Sequence, residues 1–370
     1  GMHDEGAGDL TSAQFQKRVD LLNMRLSFNA ERDAFTGSLQ TLTTKRDDAF
    51  GMLKLALTAP RFDDEPLNRV RGQILLALRE DVKDPTTIAG RHWMSTMFGD
   101  HPYARSIKGT ADGLNAVTGA DMTALTKRLF AHDNLLISVV GDIDEATLKR
   151  LLDETFGALP AKSAMPEIAV PAIKTDPHVT VVERDIPQSA IRFGHIGIKR
   201  DDPDFMSAYV MNHILGGGGF GSRLTEEVRE KRGLSYSVYS TFYPLEQGGV
   251  FFGGAAAVNV RVPETIEVIR SVLQKMADDG PTAAELAEAK TYLTGSYALR
   301  FDNSRKIAGQ LLGIQRQNLG IDYVVKRNDM VNAVTLEDVK KVAKRIISGD
   351  SLVITIVGKP KGVKSDGTKG

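Results

Sequence analysis

VTGADMTALTKRLFAHDNLLISVVG (117–141) and VTLEDVKKVAKRIISGDSLVITIVG (334–358) align without a gap at an offset of 217 residues, with ten of twenty-five positions identical. The shared positions include the Thr118/Thr335 cap, the Lys127-Arg128/Lys344-Arg345 pairs, Asp133/Asp350 and the closing Gly141/Gly358. Each copy reads as a capped amphipathic helix, a short polar turn and an apolar strand that stops at glycine. A match of this length at one fixed spacing marks a duplicated unit. Between the copies lies PAKSAMPEIAVPAIKTDP (160–177), whose four prolines exclude a helix and favour an extended linker. The sequence thus divides into a domain over 1–160, a proline-rich linker over 161–178 and a second domain over 179–370.

Outward from the repeat, apolar periodicity and caps predict helices over 12–24, 46–58, 64–82, 119–131 and 144–155. In the second half they predict helices over 203–215, 222–232, 264–279, 282–300, 303–318 and 335–347. Strands are expected over 35–43, 134–140, 179–184, 190–198, 234–243, 249–257 and 351–357. LSYSVYSTFY (234–243) and GVFFGGAAAV (249–258) lie close enough to form a hairpin. Strand runs alternating with paired helices give an α+β class, two homologous domains each built as an antiparallel sheet with helices on one face.

Composition narrows the function. The chain has 370 residues, 47 basic and 47 acidic side chains, and a formal charge of zero, which disfavours nucleic-acid binding. No apolar run approaches the roughly 18–20 residues of a membrane span. The absence of cysteine excludes disulfide scaffolds, thiolate metal sites and cysteine nucleophiles.

Two segments carry candidate chemistry. In LGGGGFGSRL (215–224), Gly216, Gly218 and Gly221 satisfy the spacing of a dinucleotide fingerprint. That fingerprint must follow a strand, whereas the preceding PDFMSAYVMNHIL (203–215) has helical periodicity, and no P-loop lysine follows. Gly216, Gly217, Gly218 and Gly219 therefore read as an interhelical loop that lets another backbone approach or serves as a flexible gate, a candidate substrate contact. In SRLTEEVREKRGLSYSVYS (222–240), Arg229 falls near a helix end, Gly233 at its stop and Tyr236 two residues into a strand. The corner can aim both side chains into one cleft. Equally, Arg229 can be a surface cation among Glu226, Glu227 and Glu230, with Tyr236 on a half-buried strand.

FGSRLTEEVREKRGLSYSVYS (220–240) resembles the second-domain signature of the insulinase-like (M16, pitrilysin) zinc metallopeptidases. MFGDHPYARSIKGT (97–110) resembles the segment that follows their metal-binding helices, and NLLISVVGDIDEATLKRLLDETFGALP (134–160) the close of their first domain. The resemblance implies paired α+β domains. It also implies catalytic roles for Arg229 and Tyr236, reaching from one half into the active site on the other and hydrogen-bonding the substrate carbonyl and the developing oxyanion.

The departures are specific. Active members carry H-x-x-E-H and a further glutamate ligand, with two histidines on one helical face for zinc and the first glutamate as general base. The seven histidines here are His3, His92, His101, His132, His178, His195 and His213, and no two stand four apart. Aligned through DEGAGDL (4–10), the motif falls before residue 1. In RGQILLALREDVKDP (71–85), Arg71 stands where the first glutamate of the ligand helix belongs, and Ala77 or Leu78 where the ligand belongs. Glu80 comes two or three residues late. His3-Asp4-Glu5 reads as a frayed terminus.

The resemblance then implies an M16-like peptidase subunit with no metal of its own, contributing Arg229 and Tyr236 to a zinc-bearing partner in peptide hydrolysis. One alternative is a self-sufficient zinc peptidase whose H-x-x-E-H lies upstream; another is a structural or peptide-binding subunit. The implied partners are an H-x-x-E-H-bearing subunit or a second copy, with a peptide substrate. Bacterial relatives of this type imply a periplasmic or envelope location.

Overall fold

The computed structural model describes residues 2–366. The chain forms two compact units that interleave along the sequence. The first comprises residues up to Glu80, Ile107–Glu167 and Phe301–Asn318; the second comprises Asp81–Ser106, Ile168–Arg300 and the chain from Leu319 onward.

In the first unit, strands β1 (Arg25–Ala30) and β2 (Phe35–Gln40) pair antiparallel, Arg25 opposite Gln40 and Ala30 opposite Phe35. Helix Ser12–Leu21 opens on a Thr11/Gln14 capping box and buries Phe15, and helix Arg46–Thr58 buries Ala49, Met52 and Ala56 in the same cluster. His3 is not frayed. Its ring is buried within 5.3–5.4 Å of the rings of Phe28, Phe35, Phe62 and Phe130, and its Nδ1 lies 2.9 Å from the Ala56 carbonyl oxygen. Burial depresses its pKa, since an apolar cage disfavours the imidazolium.

The repeat is realised in part. Helices Gly119–Leu129 and Leu336–Ile346 both open on capping boxes, Thr118 with Asp121 and Thr335 with Asp338. The apolar segment after the second helix is a strand, but residues 135–140 carry no strand. A strand exists through its ladder. Among the described residues the first unit's sheet is β1 and β2 alone, and they pair with each other. The backbone of 135–140 instead meets a side chain, Gln315 Nε2 donating to the Ile137 oxygen at 2.9 Å.

The second unit holds strands β3 (His178–Glu183), β4 (Gln188–Ile196), β5 (Val238–Leu245), β6 (Gly248–Val258) and β7 (Val353–Gly358), in the order β3-β7-β4-β6-β5. The sheet is mixed rather than antiparallel as expected, because β3 and β7 run parallel. They are the unit's first and last strands, and the chain between them, which holds β4, β5, β6 and several helices, is long enough for the crossover that parallel pairing needs.

Helices also cover both faces rather than one. Ile354 and Ile356 of β7 join the main core with Val339, Val342, Ile269 and Leu273 from the helices Leu336–Ile346 and Val262–Asp279. The alternate residues Val353 and Val357 pack against helix Pro85–Phe98 through Trp93, Met97, Ile88 and Ala89. Trp93 Nε1 donates to the Val353 oxygen at 2.9 Å. Every residue of β7 is consequently buried, and no helix among the described residues is long and apolar enough to cross a membrane.

Candidate functional site

The segment 213–236 departs from α-helical geometry twice. The helix Phe205–Asn212 widens into a π-turn over His213–Gly217, and a second π-helical stretch spans Thr225–Glu230. Such wide turns are rare and frequent at functional sites. Between them a short 3₁₀ turn, Gly219–Gly221, presents Phe220 to solvent.

The glycines have separable reasons. A Cβ on Gly216 would lie 2.3 Å from Ser240 Oγ, one on Gly217 2.8 Å from Asn212 Nδ2, and one on Gly218 2.6 Å from the His213 oxygen. Three of the four thus allow the π-turn to press against β5 and its own preceding helix. Gly219 has φ +62°, a left-handed conformation that disfavours a side chain. A Cβ on Gly221 meets nothing within 4 Å.

Arg229 is carried by the second π-helical stretch, which Leu224 and Val228 anchor in the core. The stretch ends where Gly233, at φ +59°, donates to the Arg229 oxygen at 2.8 Å. Tyr236 precedes β5, which starts at Val238, so it stands in the connection and not in the strand as the sequence pattern implies. The cause is Ser235, whose Oγ accepts the Ala256 N–H at 3.2 Å and takes the place of a ladder bond.

Arg229 and Tyr236 come together. The Arg229 guanidinium carbon lies 4.8 Å from the centroid of Tyr236 and 4.6 Å from that of Phe220, within cation–π range of both. Phe220 is 71% exposed and Tyr236 84%, while the Arg229 side chain is 29% exposed. The neighbouring glutamates are mostly engaged elsewhere. Lys231 holds Glu226 at 2.9 Å and Glu227 at 2.7 Å, and Arg232 holds Glu227 at 2.5 Å. These cations, Lys231 first, keep the Glu227 carboxyl below the usual range. Among the described residues the ion pair of Arg229 is with Glu230, through Nε at 3.2 Å, so its Nη edge is not consumed by that pair. Chemically the cluster is a fork of N–H donors beside a phenol, suited to a carbonyl or oxyanion. Phe220 was not singled out from sequence; its place inside the glycine run was the available signal.

The region aligned with a metal-binding helix shows a different arrangement. On helix Asp64–Asp81, Arg71 donates to the Leu114 oxygen at 2.9 Å and the Val117 oxygen at 2.6 Å, tying down the end of helix Ala111–Ala116. Ala77 and Leu78 are half-buried and offer no donor atom. Among the described residues no group of three or more His, Asp or Glu side chains is placed to hold a metal ion. The residues present do not fit a zinc centre.

A second arginine–tyrosine pair, unforeseen from sequence, is Arg327 with Tyr209, Nη2 donating to Oη at 3.3 Å. Its members are 118 residues apart, a separation that no local motif exposes.

The profile of the family described as the peptidase M16 inactive domain matches residues 116–293. An uncharacterized zinc protease of Mycobacterium leprae is 29% identical over 376 residues, covering 94% of this chain and 82% of that protein. One from Mycobacterium bovis is 29% identical over 282 residues, and there the match spans 62% of the relative's length. The crystal structure of a peptidase M16 inactive domain from Pseudomonas fluorescens superposes with a TM-score of 0.92 at 30% identity, covering 98% of this chain and 87% of that one. By that likeness over nearly the whole of both chains, the chain belongs to the M16 peptidase family, as a member of its inactive-domain type.

Proposed function

We propose that this chain is an M16-like peptidase subunit without a zinc site of its own, which lends Arg229 and Tyr236 to a zinc-bearing partner during peptide hydrolysis. The observation that carries the reading is the cluster itself: a guanidinium held against two exposed rings, with Glu226 and Glu227 paired to Lys231 and Arg232. In this role the Nη edge of Arg229 and the Tyr236 hydroxyl donate to the scissile carbonyl and hold the charge that develops on its oxygen. The glycines 216–219 bring the peptide's backbone close to the same surface. The partner is an H-x-x-E-H-bearing chain, or a second copy where none exists, in the cell envelope. We further propose that the halves 1–160 and 179–370, joined by the linker 161–178, are two copies of one domain.

The test is Arg229→Ala and Tyr236→Phe in the pair assembled with the partner that co-purifies from the native host. Each substitution is expected to lower kcat/KM by about 10²–10³, the range for one lost oxyanion donor, with assembly and zinc content unchanged. Unaltered kcat/KM in both variants sinks the reading. The matched family's description as an inactive domain favours one second reading, a peptide-binding or structural subunit. There the two substitutions change peptide affinity or assembly and leave turnover alone.

A further inference from the structure

Three arginines of the second unit meet aromatic rings where carboxylates would be expected. Arg327, on helix Tyr323–Ala333, is 3% exposed, and a buried guanidinium is tolerated only when its hydrogen bonds and charge are met. Its Nη1 donates to the Leu293 oxygen at 2.6 Å and to Asn328 Oδ1 at 2.9 Å. Leu293 lies in the last turn of helix Ala283–Gly295, whose negative dipole end offsets part of the charge. The ring centroids of Tyr297 and Tyr209 lie 4.6 and 5.5 Å from the Arg327 guanidinium carbon.

Arg300, which is exposed, donates from Nη2 to the same Tyr209 Oη at 3.5 Å. Arg200 donates to Tyr323 Oη at 3.0 Å and lies 4.2 Å from the Phe205 ring centroid. Among the described residues none of these arginines forms an ion pair. The carboxylates nearest in sequence to Arg300 and Tyr323 are taken: Asp302 by Lys306 at 2.7 Å, and Asp322 by Lys326.

Counting donors and acceptors shows what the cluster lacks. Tyr209 Oη already accepts from two guanidinium groups, which uses both lone pairs and turns its own O–H away from them. Both bonds are long for N–H···O, so neither arginine is fully satisfied there. Arg300 is exposed and Tyr209 half-buried, and among the described residues neither the Arg300 guanidinium nor the Tyr209 O–H donates to a carboxylate. We infer that Tyr209 and Arg300, backed by the buried charge of Arg327, bind a small oxyanion, either phosphate or the terminal carboxylate of a peptide. The inference is independent of the role proposed for Arg229 and Tyr236.

The test uses the full chain and inorganic phosphate. Thermal unfolding in phosphate, against chloride at matched ionic strength, is expected to show a saturable rise in Tm. Arg300→Ala leaves the bonds of the buried Arg327 in place, and Tyr209→Phe keeps the ring while removing one of them; each is expected to weaken the apparent phosphate affinity roughly tenfold or more, as for a lost charge-assisted hydrogen bond. A parallel calorimetric titration compares a short peptide bearing a free C-terminus with its C-terminal amide. A response to phosphate alone assigns free phosphate, and binding of the acid but not the amide assigns a peptide terminus. Absence of any saturable response to either anion, or responses that survive both substitutions in chains with native circular dichroism, overturns the site.

Discussion

Arg223 and Glu285 show how a single pair fixes the approach to the candidate site. Arg223 precedes the π-helical stretch that carries Arg229, and it grips Glu285 through two bonds, Nε to Oε1 at 2.6 Å and Nη2 to Oε2 at 2.8 Å. Glu285 also closes the Thr282 capping box of helix Ala283–Gly295. Arg223 first, then the Thr282 bonds, hold the Glu285 carboxyl at about 2 against an ordinary 4.5. The unfolded chain therefore takes up a proton at higher pH than the folded one. The stabilisation is complete above about pH 4.5 and fades as the pH falls toward 2. Glu285→Gln keeps a side chain able to cap and removes the charge together with one of the two acceptors that Arg223 grips. It should lower stability at pH 7 by about 1–2 kcal/mol, less than the full shift because solvent screens a partly exposed pair. Urea unfolding across pH should show the two proteins converging on the acid side; a constant gap down to pH 2 would contradict the assignment. At this scale the site was legible where the motif was contiguous: Arg229 and Tyr236 stand seven apart in sequence. Arg327 and Tyr209 were not legible, because their meeting depends on how distant helices pack.

The two copies of the repeat separate what an element owes to its own sequence from what it owes to its neighbours. Both helices form with the caps that the sequence announces, since capping is local. The strands do not share that fate. Val353–Gly358 is bonded on both sides, to β3 and β4, whereas 135–140 has the same apolar pattern without a ladder. Amide hydrogen exchange should read the difference directly, with Ile354–Val357 exchanging roughly 10³-fold or more slowly than 136–139. Equal protection in both segments would show that 135–140 is paired in solution. Helix Pro85–Phe98 escaped the periodicity reading although Asp84 and Pro85 are a sound start signal. It touches the sheet through Ile88, Ala89, Trp93 and Met97, with Gly90 beside Arg192, so its apolar stripe is narrow and mixed with small residues. The π-helical stretches were illegible for another reason. Their register differs from the 3.6-residue repeat on which a helical pattern is recognised.

For the whole molecule, the point of consequence is that contiguity in sequence and contiguity in space differ. The sheet of the second unit is built from residues after 177, yet one of its faces is closed by residues 85–98. A fragment spanning 179–370 would leave Val353 and Val357 uncovered, along with the oxygen that Trp93 Nε1 engages. It should bind a hydrophobic dye and unfold at lower urea than the same unit in the intact chain. Adding a peptide of residues 81–106 should reverse part of both effects; a fragment as stable as the parent would refute the dependence.

Trp93 is the chain's only tryptophan, and it is buried against this sheet. Its intrinsic fluorescence therefore watches the second unit, although the residue belongs to the first third of the sequence. The first unit has no indole and is silent in that channel, while far-ultraviolet circular dichroism registers the helices of both. Superimposing the two melting curves on one sample consequently shows whether the two units unfold in one step or in two, with no label introduced.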